Sequence, residues 1–167
     1  RRARESGADN IACVMSGSFV QSAMPAFCDK AIRAECAIAG GADAVIELPT
    51  VYATASAQYF AEGAVKIIRH IKDIAYMAMG ATADPNSIRK IAEFKIKHSA
   101  SISDKTKAHM KSGASYNVSG VAALTEAYGN AYPSDGDISK ILVEPNNMLC
   151  LEYIVAADKL GANIEPL

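Results

Sequence analysis

Apolar and polar positions change their spacing several times along the first half of the chain. Short apolar runs at 11–15, 44–48 and 74–79 predict three buried strands. Apolar residues at helical spacing predict helices over about 29–39 and 60–71, between those strands. Parallel strands need long crossover connections, and helices usually provide them. The pattern therefore predicts an α/β fold of the Rossmann-like type, with a three-layer arrangement in which helices cover a parallel sheet.

The first crossover helix has clear start and stop signals. Asp29 is a predicted N-cap, and Gly40–Gly41 supplies a left-handed stop. Ile32, Cys36 and Ala39 fall on one face of this helix.

Helical spacing dominates the second half of the chain. We expect a helical insertion over residues 86–130, including a polar stretch at 99–113, within one domain of residues 1–167. Pro145 then opens a last helix, and the closing residues 163–167 look like the start of a strand or loop.

Composition and charge narrow the class of protein. Half of the residues are hydrophobic and 21% are charged, which is typical of a globular domain. The longest apolar runs are far shorter than the ~20 residues of a membrane span, and no signal stretch is visible. We therefore expect a cytoplasmic protein without a membrane partner. A net charge of −1 gives no general attraction to nucleic acid, so we expect no DNA partner, and any RNA contact must be local or lie on another part of the protein.

The cysteines and histidines suggest no metal site. Cys13, Cys28, Cys36 and Cys150 form no Cys-x-x-Cys pair and are predicted to be reduced core residues. The three histidines fall at or near predicted helix ends in polar surroundings and receive no role. They are His70, His98 and His109.

Candidate binding residues follow the predicted strands. In open α/β sheets, ligands bind beyond the carboxyl ends of the strands. Gly80 follows a buried strand, where a glycine lets a ligand approach the backbone or merely turns the chain. Ser16 and Gly17 follow the first predicted strand and have the same two interpretations.

Three further polar residues lie near predicted helix starts. Asn146 precedes an apolar helix and has an ordinary interpretation as its N-cap. Lys30 and Arg33 lie one turn apart and would present charge to a phosphate, or simply form a solvated helix face. No phosphate loop of the Gly-x-x-x-x-Gly-Lys type and no Ser, His and Asp grouping is present.

Several blocks in a fixed order resemble the N-terminal catalytic domain of the bacterial tRNA(Met) cytidine acetate ligases, which are His-x-Gly-His nucleotidyltransferases. The resemblance extends through nearly the whole chain. The blocks are Val14-Met15-Ser16-Gly17-Ser18-Phe19-Val20-Gln21, Pro25-Ala26, Asp29-Lys30, Arg33-Ala34-Glu35, Gly41 to Pro49, Tyr52-Ala53, Ser56-Ala57, Phe60-Ala61-x-Gly63-Ala64-Val65, Gly113-Ala114-Ser115-Tyr116 and Glu144-Pro145-Asn146-Asn147-Met148-Leu149.

The resemblance implies an ATP-dependent ligase. Members of that family activate acetate as acetyl-adenylate and acetylate the wobble cytidine of elongator tRNA(Met), forming N4-acetylcytidine. By matching position, Gly80 and Asn146 would line the ATP pocket, and Ser16, Gly17, Lys30 and Arg33 remain candidates for lining the cleft. The expected partners are ATP, with Mg²⁺, acetate and the tRNA.

Departures from the family pattern limit what we expect of this chain alone. The family's first strand and its His-x-Gly-His loop would precede Arg1, so no catalytic residue is assigned and the isolated chain is expected to be inactive. A family arginine near the ATP would follow Leu167. Where the family has Arg-Gly after Val20-Gln21, this chain has Ser22-Ala23-Met24, which removes a charge and a flexible glycine near the cleft.

Two alternatives stay open at this point. One is another nucleotidyltransferase of the same superfamily, joining AMP to a phosphate-bearing small molecule. The other is a non-catalytic nucleotide-binding or scaffold domain, in which Ser22-Ala23 marks a loss of activity.

Overall fold

Two strands form the best-defined parallel pair of the fold. The computed structural model describes residues 2–166, without the side chain of Arg2. Strand β1 (Ala12–Ser16) pairs in parallel with β2 (Ala44–Leu48), and Ser16 lies opposite Leu48 at their carboxyl ends. The prediction of β2 is confirmed residue for residue, and that of β1 is confirmed with a shift of one residue.

A second parallel pair is much shorter. Strand β3 (Tyr76–Met77) pairs with β4 (Glu165–Pro166), which confirms strand structure inside both predicted segments but over two residues each. Leu167, the last residue of the predicted C-terminal segment, lies outside the described residues.

An apolar cluster joins the two strand pairs although no ladder does. Within residues 2–166, β1 and β2 form one sheet and β3 and β4 another. Val14 of β1 nevertheless packs in the same cluster as Ile74 and Met77. The parallel α/β class is confirmed, whereas the three-layer arrangement around one continuous sheet stays a prediction.

The helices of the first half connect these strands. They are α1 (Arg2–Glu5), α2 (Lys30–Ala39), α3 (Thr50–Ala53) and α4 (Ala57–Ile68).

Helix α2 confirms the predicted cap, and its apolar face is exposed. The Asp29 side chain accepts a hydrogen bond from the Ala31 amide, and Gly41 has φ of 104° after the last turn. The apolar face that contains Ile32 and Cys36 lies largely open, because no residue of α2 is buried and Ile32 is 53% exposed. Helical spacing identifies an apolar face, but burial requires a neighbour that covers it.

The burial of the cysteines also differs from the prediction. All four are free thiols, as predicted. Only Cys150 is buried, whereas Cys13 and Cys28 are half-buried and Cys36 is exposed. The prediction of four core cysteines is therefore wrong for Cys36, which lies on the uncovered face of α2.

The second half of the chain is helical and contains the larger core. Its helices are α5 (Pro85–Lys97), α6 (Ser99–Met110), α7 (Tyr116–Ala131), α8 (Ser139–Leu142) and α9 (Pro145–Lys159), with one 3₁₀ turn at Pro133–Asp135. Their core contains Ile91, Leu124 and Leu151, each at most 2% exposed. The polar stretch at 99–113 is mostly the helix α6, which buries Ile102 and Thr106.

Helix α9 connects the helical core to the strands. Its Ala156 packs with Ala61 and Val65 of α4, in the cluster that also holds Val14. Whether residues 86–130 are an insertion within a single domain stays a prediction. Among the described residues, no helix combines the length and the apolarity that a membrane crossing requires.

Candidate functional site

The carboxyl ends of β1 and β2 lie side by side. Because the pair is parallel and Ser16 is opposite Leu48, the segments that follow both strands leave the same edge of the sheet. In a parallel α/β fold this edge is where ligands bind. The structure thus brings the predicted Ser16 and Gly17 next to a residue that the sequence did not single out, Glu47.

Gly17 is buried because Glu47 lies against it. A β-carbon at position 17 would collide with Oε1 of Glu47. Glycine therefore allows the carboxylate to lie across the end of β1. The other oxygen of that carboxylate, Oε2, accepts a hydrogen bond from Nζ of Lys30 at 2.7 Å. Both side chains of this ion pair are about half exposed, at 49% for Lys30 and 47% for Glu47.

Arg33 acts on the backbone at the same edge. Its guanidinium donates to the Ser16 carbonyl at 3.0 Å, to the Gly17 carbonyl, and through Nε to the Cys28 carbonyl at 3.2 Å. A guanidinium has five N–H donors in a fixed planar fork, so these contacts orient it firmly. Arg33 therefore holds the end of β1 against the start of α2.

The loop after β1 contains one residue in the left-handed region, a conformation that favours glycine. Ala23, where the resemblance places a family glycine, has φ of 59°. The turn is closed by hydrogen bonds from the Ala23 amide to the Val20 carbonyl at 2.8 Å and from the Val20 amide to the Met24 carbonyl at 3.0 Å. Ala23 therefore adopts a backbone conformation that costs energy for alanine and none for glycine.

Gly80 lies in the exposed loop after β3. Its φ is outside the left-handed region, and an added β-carbon would meet no atom of the described residues within 4 Å. One interpretation of Gly80 was that the turn requires a glycine. The backbone conformation does not support it, because any residue can adopt this φ. Its carbonyl accepts a hydrogen bond from Sγ of Cys150 at 3.2 Å, and burial raises the pKa of that thiol, which keeps it protonated as a donor.

The two asparagines at the start of α9 have different environments. Asn146 is exposed on the first turn, and its interpretation as the N-cap is wrong because Glu144 occupies that position before Pro145. Asn147 is 2% exposed, and its Oδ1 accepts hydrogen bonds from the Thr82 amide at 2.9 Å and the Ala83 amide at 3.1 Å.

A simple sequence signal was available for Asn147. Cys150 and Leu151 are apolar, and the residue three or four positions before them shares their helix face. That residue is Asn147, which the structure places beside the Gly80 loop.

The predicted residues form two clusters. Ser16, Gly17, Lys30 and Arg33 meet around Glu47. Gly80 is tied to α9 through Cys150. No hydrogen bond between described residues joins the two clusters, and within residues 2–166 no three His, Cys, Asp or Glu side chains group as metal ligands.

A large groove lies beside the two clusters, with Gln21 and Pro145 in its wall. It has a volume of about 1490 Å³, and none of the six predicted site residues lines it. Its wall includes Glu152, which is 6% exposed and accepts a hydrogen bond through Oε1 from Lys95 at 2.5 Å. The pair lies between α5 and α9, where it fixes the spacing of the two helices.

Comparison with known proteins gives consistent relatives. The tRNA(Met) cytidine acetate ligase of a Thermoanaerobacter species is 38% identical over 159 residues, which are 95% of this chain and 38% of that protein. The ligase of Acetivibrio thermocellus is 36% identical over 97% of this chain, and the chain again covers 38% of that protein. The chain thus spans about two fifths of the length of these curated relatives.

Solved structures agree with the sequence relatives. Thermotoga maritima TmcAL, in a crystal structure with alpha-thio ATP bound, matches with a TM-score of 0.89 and 29% identity over 98% of this chain and 40% of that one. The apo form of the same protein matches with a TM-score of 0.84. A family model described as HIGH Nucleotidyl Transferase matches residues 1–167, and the chain belongs to that family.

Proposed function

We propose that this chain is the nucleotide-binding part of an ATP-dependent tRNA(Met) cytidine acetate ligase. The observation that carries the proposal is the TM-score of 0.89, over 98% of the chain, to a TmcAL structure that contains an ATP analogue. Relatives named as this ligase, at 38% and 36% identity, support the same assignment. Acetate, elongator tRNA(Met) and a cytoplasmic location belong to the proposal for the whole protein.

The reaction has two steps, and each step releases one leaving group. A carboxylate oxygen of acetate attacks the α-phosphorus of ATP, which forms acetyl-adenylate and releases pyrophosphate. The N4 amine of the wobble cytidine then attacks the acetyl carbonyl, AMP leaves, and the amine loses a proton. Acetate needs activation because its own oxygen is a poor leaving group, and positioning of the reactants and stabilisation of the developing charge lower the barrier.

The Gly80 loop is the part of this chain that we assign to ATP. Glycine there leaves the backbone open to close approach, and no atom of the described residues occupies that space. Asn146 is exposed on the first turn of α9, where unpaired backbone amides favour an anion or a polar ligand.

The strand ends around Glu47 would shape the other side of the cleft. Arg33 is committed to three carbonyl oxygens, so we assign it to holding the backbone rather than to gripping phosphate. Lys30 becomes available to a phosphate only when it leaves Glu47, and both groups are exposed enough for that exchange.

The phosphates of ATP are better ligands for Mg²⁺ than the described residues of this chain. In ATP-using enzymes Mg²⁺ is usually held by substrate phosphates with one or two carboxylates. Glu47 is the carboxylate beside the ends of β1 and β2, and it is paired with Lys30. We therefore assign no magnesium ligand here and route no step through the ion.

The deciding experiment uses the full-length protein. Acetate-dependent release of AMP and acetylation of tRNA(Met) are expected, and a tRNA with uridine at the wobble position should accept no acetyl group. Absence of acetylation by correctly folded full-length protein would refute the ligase assignment. ATP binding without any acetate-dependent AMP release would then favour another nucleotidyltransferase, and absence of ATP binding would favour a scaffold domain.

A further inference from the structure

Asn147 is a buried polar side chain that joins two segments far apart in the sequence. Besides the amides of Thr82 and Ala83, its Oδ1 accepts a hydrogen bond from the Thr82 hydroxyl at 3.2 Å. Its Nδ2 donates to the Ile141 carbonyl at 3.1 Å. The carboxamide therefore bridges α9, the end of α8 and the loop after β3.

These contacts demand a carboxamide in one orientation. The acceptor oxygen faces two backbone N–H donors, whereas the donor nitrogen faces a carbonyl oxygen. Turning the amide over would place donors against donors and an acceptor against an acceptor. At 2% exposure no water is available to compensate, and an unmade hydrogen bond at such a site is costly.

The hydrogen bonds of Asn147 also determine which backbone amides of the loop are occupied. Asn147 occupies the amides of Thr82 and Ala83. The amides of Gly80 and Ala81 donate to no other described residue, and both of these residues are exposed. The Gly80 carbonyl accepts a hydrogen bond from the thiol of Cys150. The loop thus presents two adjacent free amides at the point where glycine leaves open space.

We infer that Asn147 is a positioning residue for ATP: it fixes the loop so that the Gly80 and Ala81 amides face the nucleotide. It acts through the loop and does not itself touch the ligand. This inference rests on the proposed function, because it takes ATP as the ligand of the Gly80 loop. The resemblance assigned a role to Asn146 alone. The inference gives its neighbour Asn147 a different role, which is to position the loop.

The experiment compares the full-length protein with its Asn147→Ala and Asn147→Asp variants. Aspartate keeps an acceptor for Thr82 and Ala83, but it sets a carboxylate oxygen against the Ile141 carbonyl in place of the donated hydrogen bond, so it should lower the unfolding midpoint. Ile102→Ala is a matched control, because Ile102 is 5% exposed in the same helical core and makes no contact with the loop through a hydrogen bond. For each protein we would measure the unfolding midpoint, the Kd for ATP and amide hydrogen exchange.

The expected result separates positioning from stability. Asn147→Ala should accelerate exchange at Thr82 and Ala83 and raise the Kd for ATP about tenfold or more, whereas Ile102→Ala lowers the unfolding midpoint and leaves the Kd unchanged. ATP should slow exchange at Gly80 and Ala81 in the wild type. Asn147→Asp should restore protection at Thr82 and Ala83 and bring the Kd back toward the wild-type value.

Three results would overturn the inference. The first is an unchanged Kd in Asn147→Ala, which would leave ATP binding and the proposed function intact. The second, decisive if the alanine variant does not fold, is a Kd raised tenfold in Asn147→Asp while Thr82 and Ala83 remain protected. The third is a folded wild-type protein that fails to bind ATP, which would overturn the proposed function as well.

Discussion

The carboxylate of Glu47 occupies the space directly beside the α-carbon of Gly17. The contact joins the ends of two parallel strands, and the same carboxylate binds Lys30 from α2. Gly17, for which the sequence left open a ligand cleft or a turn, therefore also has a packing reason in the described structure. It allows a charged pair to lie at the edge of the sheet where ligands of this fold class bind.

Gly17→Ala is expected to displace Glu47 at a small cost in stability. The colliding atoms are the end of a flexible side chain, so the free energy of unfolding should fall by about 1 kcal/mol or less. The loss should disappear when Glu47→Ala is already present, because the collision is then removed. Urea unfolding of the four proteins in this double-mutant cycle measures the coupling. A loss of the same size in both backgrounds would contradict the collision.

Ala23→Gly is expected to stabilise the chain. A residue other than glycine pays about 1–2 kcal/mol in the left-handed region, and glycine adds about 0.4–1 kcal/mol of unfolded-chain entropy, so a net gain of about 0.5–1 kcal/mol remains. Ala26→Gly is the matched control in the same loop, since Ala26 has no positive φ and should lose stability. Thermal unfolding measures both variants. A destabilised Ala23→Gly variant would show that the turn is not strained at this position.

Acid is expected to weaken the contact between α4 and α9 through Glu62. Burial opposes ionisation of this carboxyl, but hydrogen bonds from Lys159 and Gln58 and the charges of Lys159 and Lys66 outweigh it and lower its pKa. Lys159 lies 2.6 Å from Glu62, and mainly this hydrogen bond raises the pKa of the lysine.

The sign of the pH effect follows from the direction of these shifts. Because the pKa of Glu62 is lower in the folded state, its stabilisation is complete above the unfolded-state pKa and is lost as the pH falls through the folded-state value. Lys159 stays protonated over that range. Between about pH 5 and pH 3, the wild type should therefore lose more unfolding free energy than Glu62→Gln. Parallel curves for the two proteins would rule out a contribution from this pair.

The sequence predicts most reliably those elements whose local pattern matches their final burial. The run at Ala44–Leu48 is confirmed as a strand, and within the predicted helical segment 86–130 the helically spaced Ile88 and Ile91 of α5 are buried. The stripe of α2 is just as regular, yet nothing among the described residues covers it. Pattern indicates which face is apolar, and only the tertiary structure supplies its neighbour.

The sequence singled out Asn146 and not Asn147, and the reason that Asn147 was missed is geometric. Successive helical residues point about 100° apart, so the phase of α9 decides which asparagine faces the Gly80 loop. That phase is set by the start of the helix at Pro145, with Glu144 as its N-cap. The role of Glu47 was hidden for a different reason: the contact with Gly17 exists only once the two strands pair.

Gly80→Ala is expected to separate binding from folding at the centre of the candidate site. An added methyl group meets no described atom within 4 Å, and the backbone there is not in the left-handed region, so stability should change by no more than about 0.5 kcal/mol. If the open space admits ATP, the same methyl group should raise the Kd for ATP about tenfold or more in the full-length protein.

Two other glycines provide controls for this substitution. Gly63 lies against the Tyr52 ring, so Gly63→Ala should destabilise the fold. Gly129 has open space within α7, so Gly129→Ala should gain up to about 1 kcal/mol from helix propensity and leave the Kd for ATP unchanged. Isothermal calorimetry and urea unfolding on the four proteins measure both effects. If Gly80→Ala binds ATP as the wild type does, the nucleotide does not approach the backbone at this loop, and the assignment of Gly80 to the ATP site is wrong.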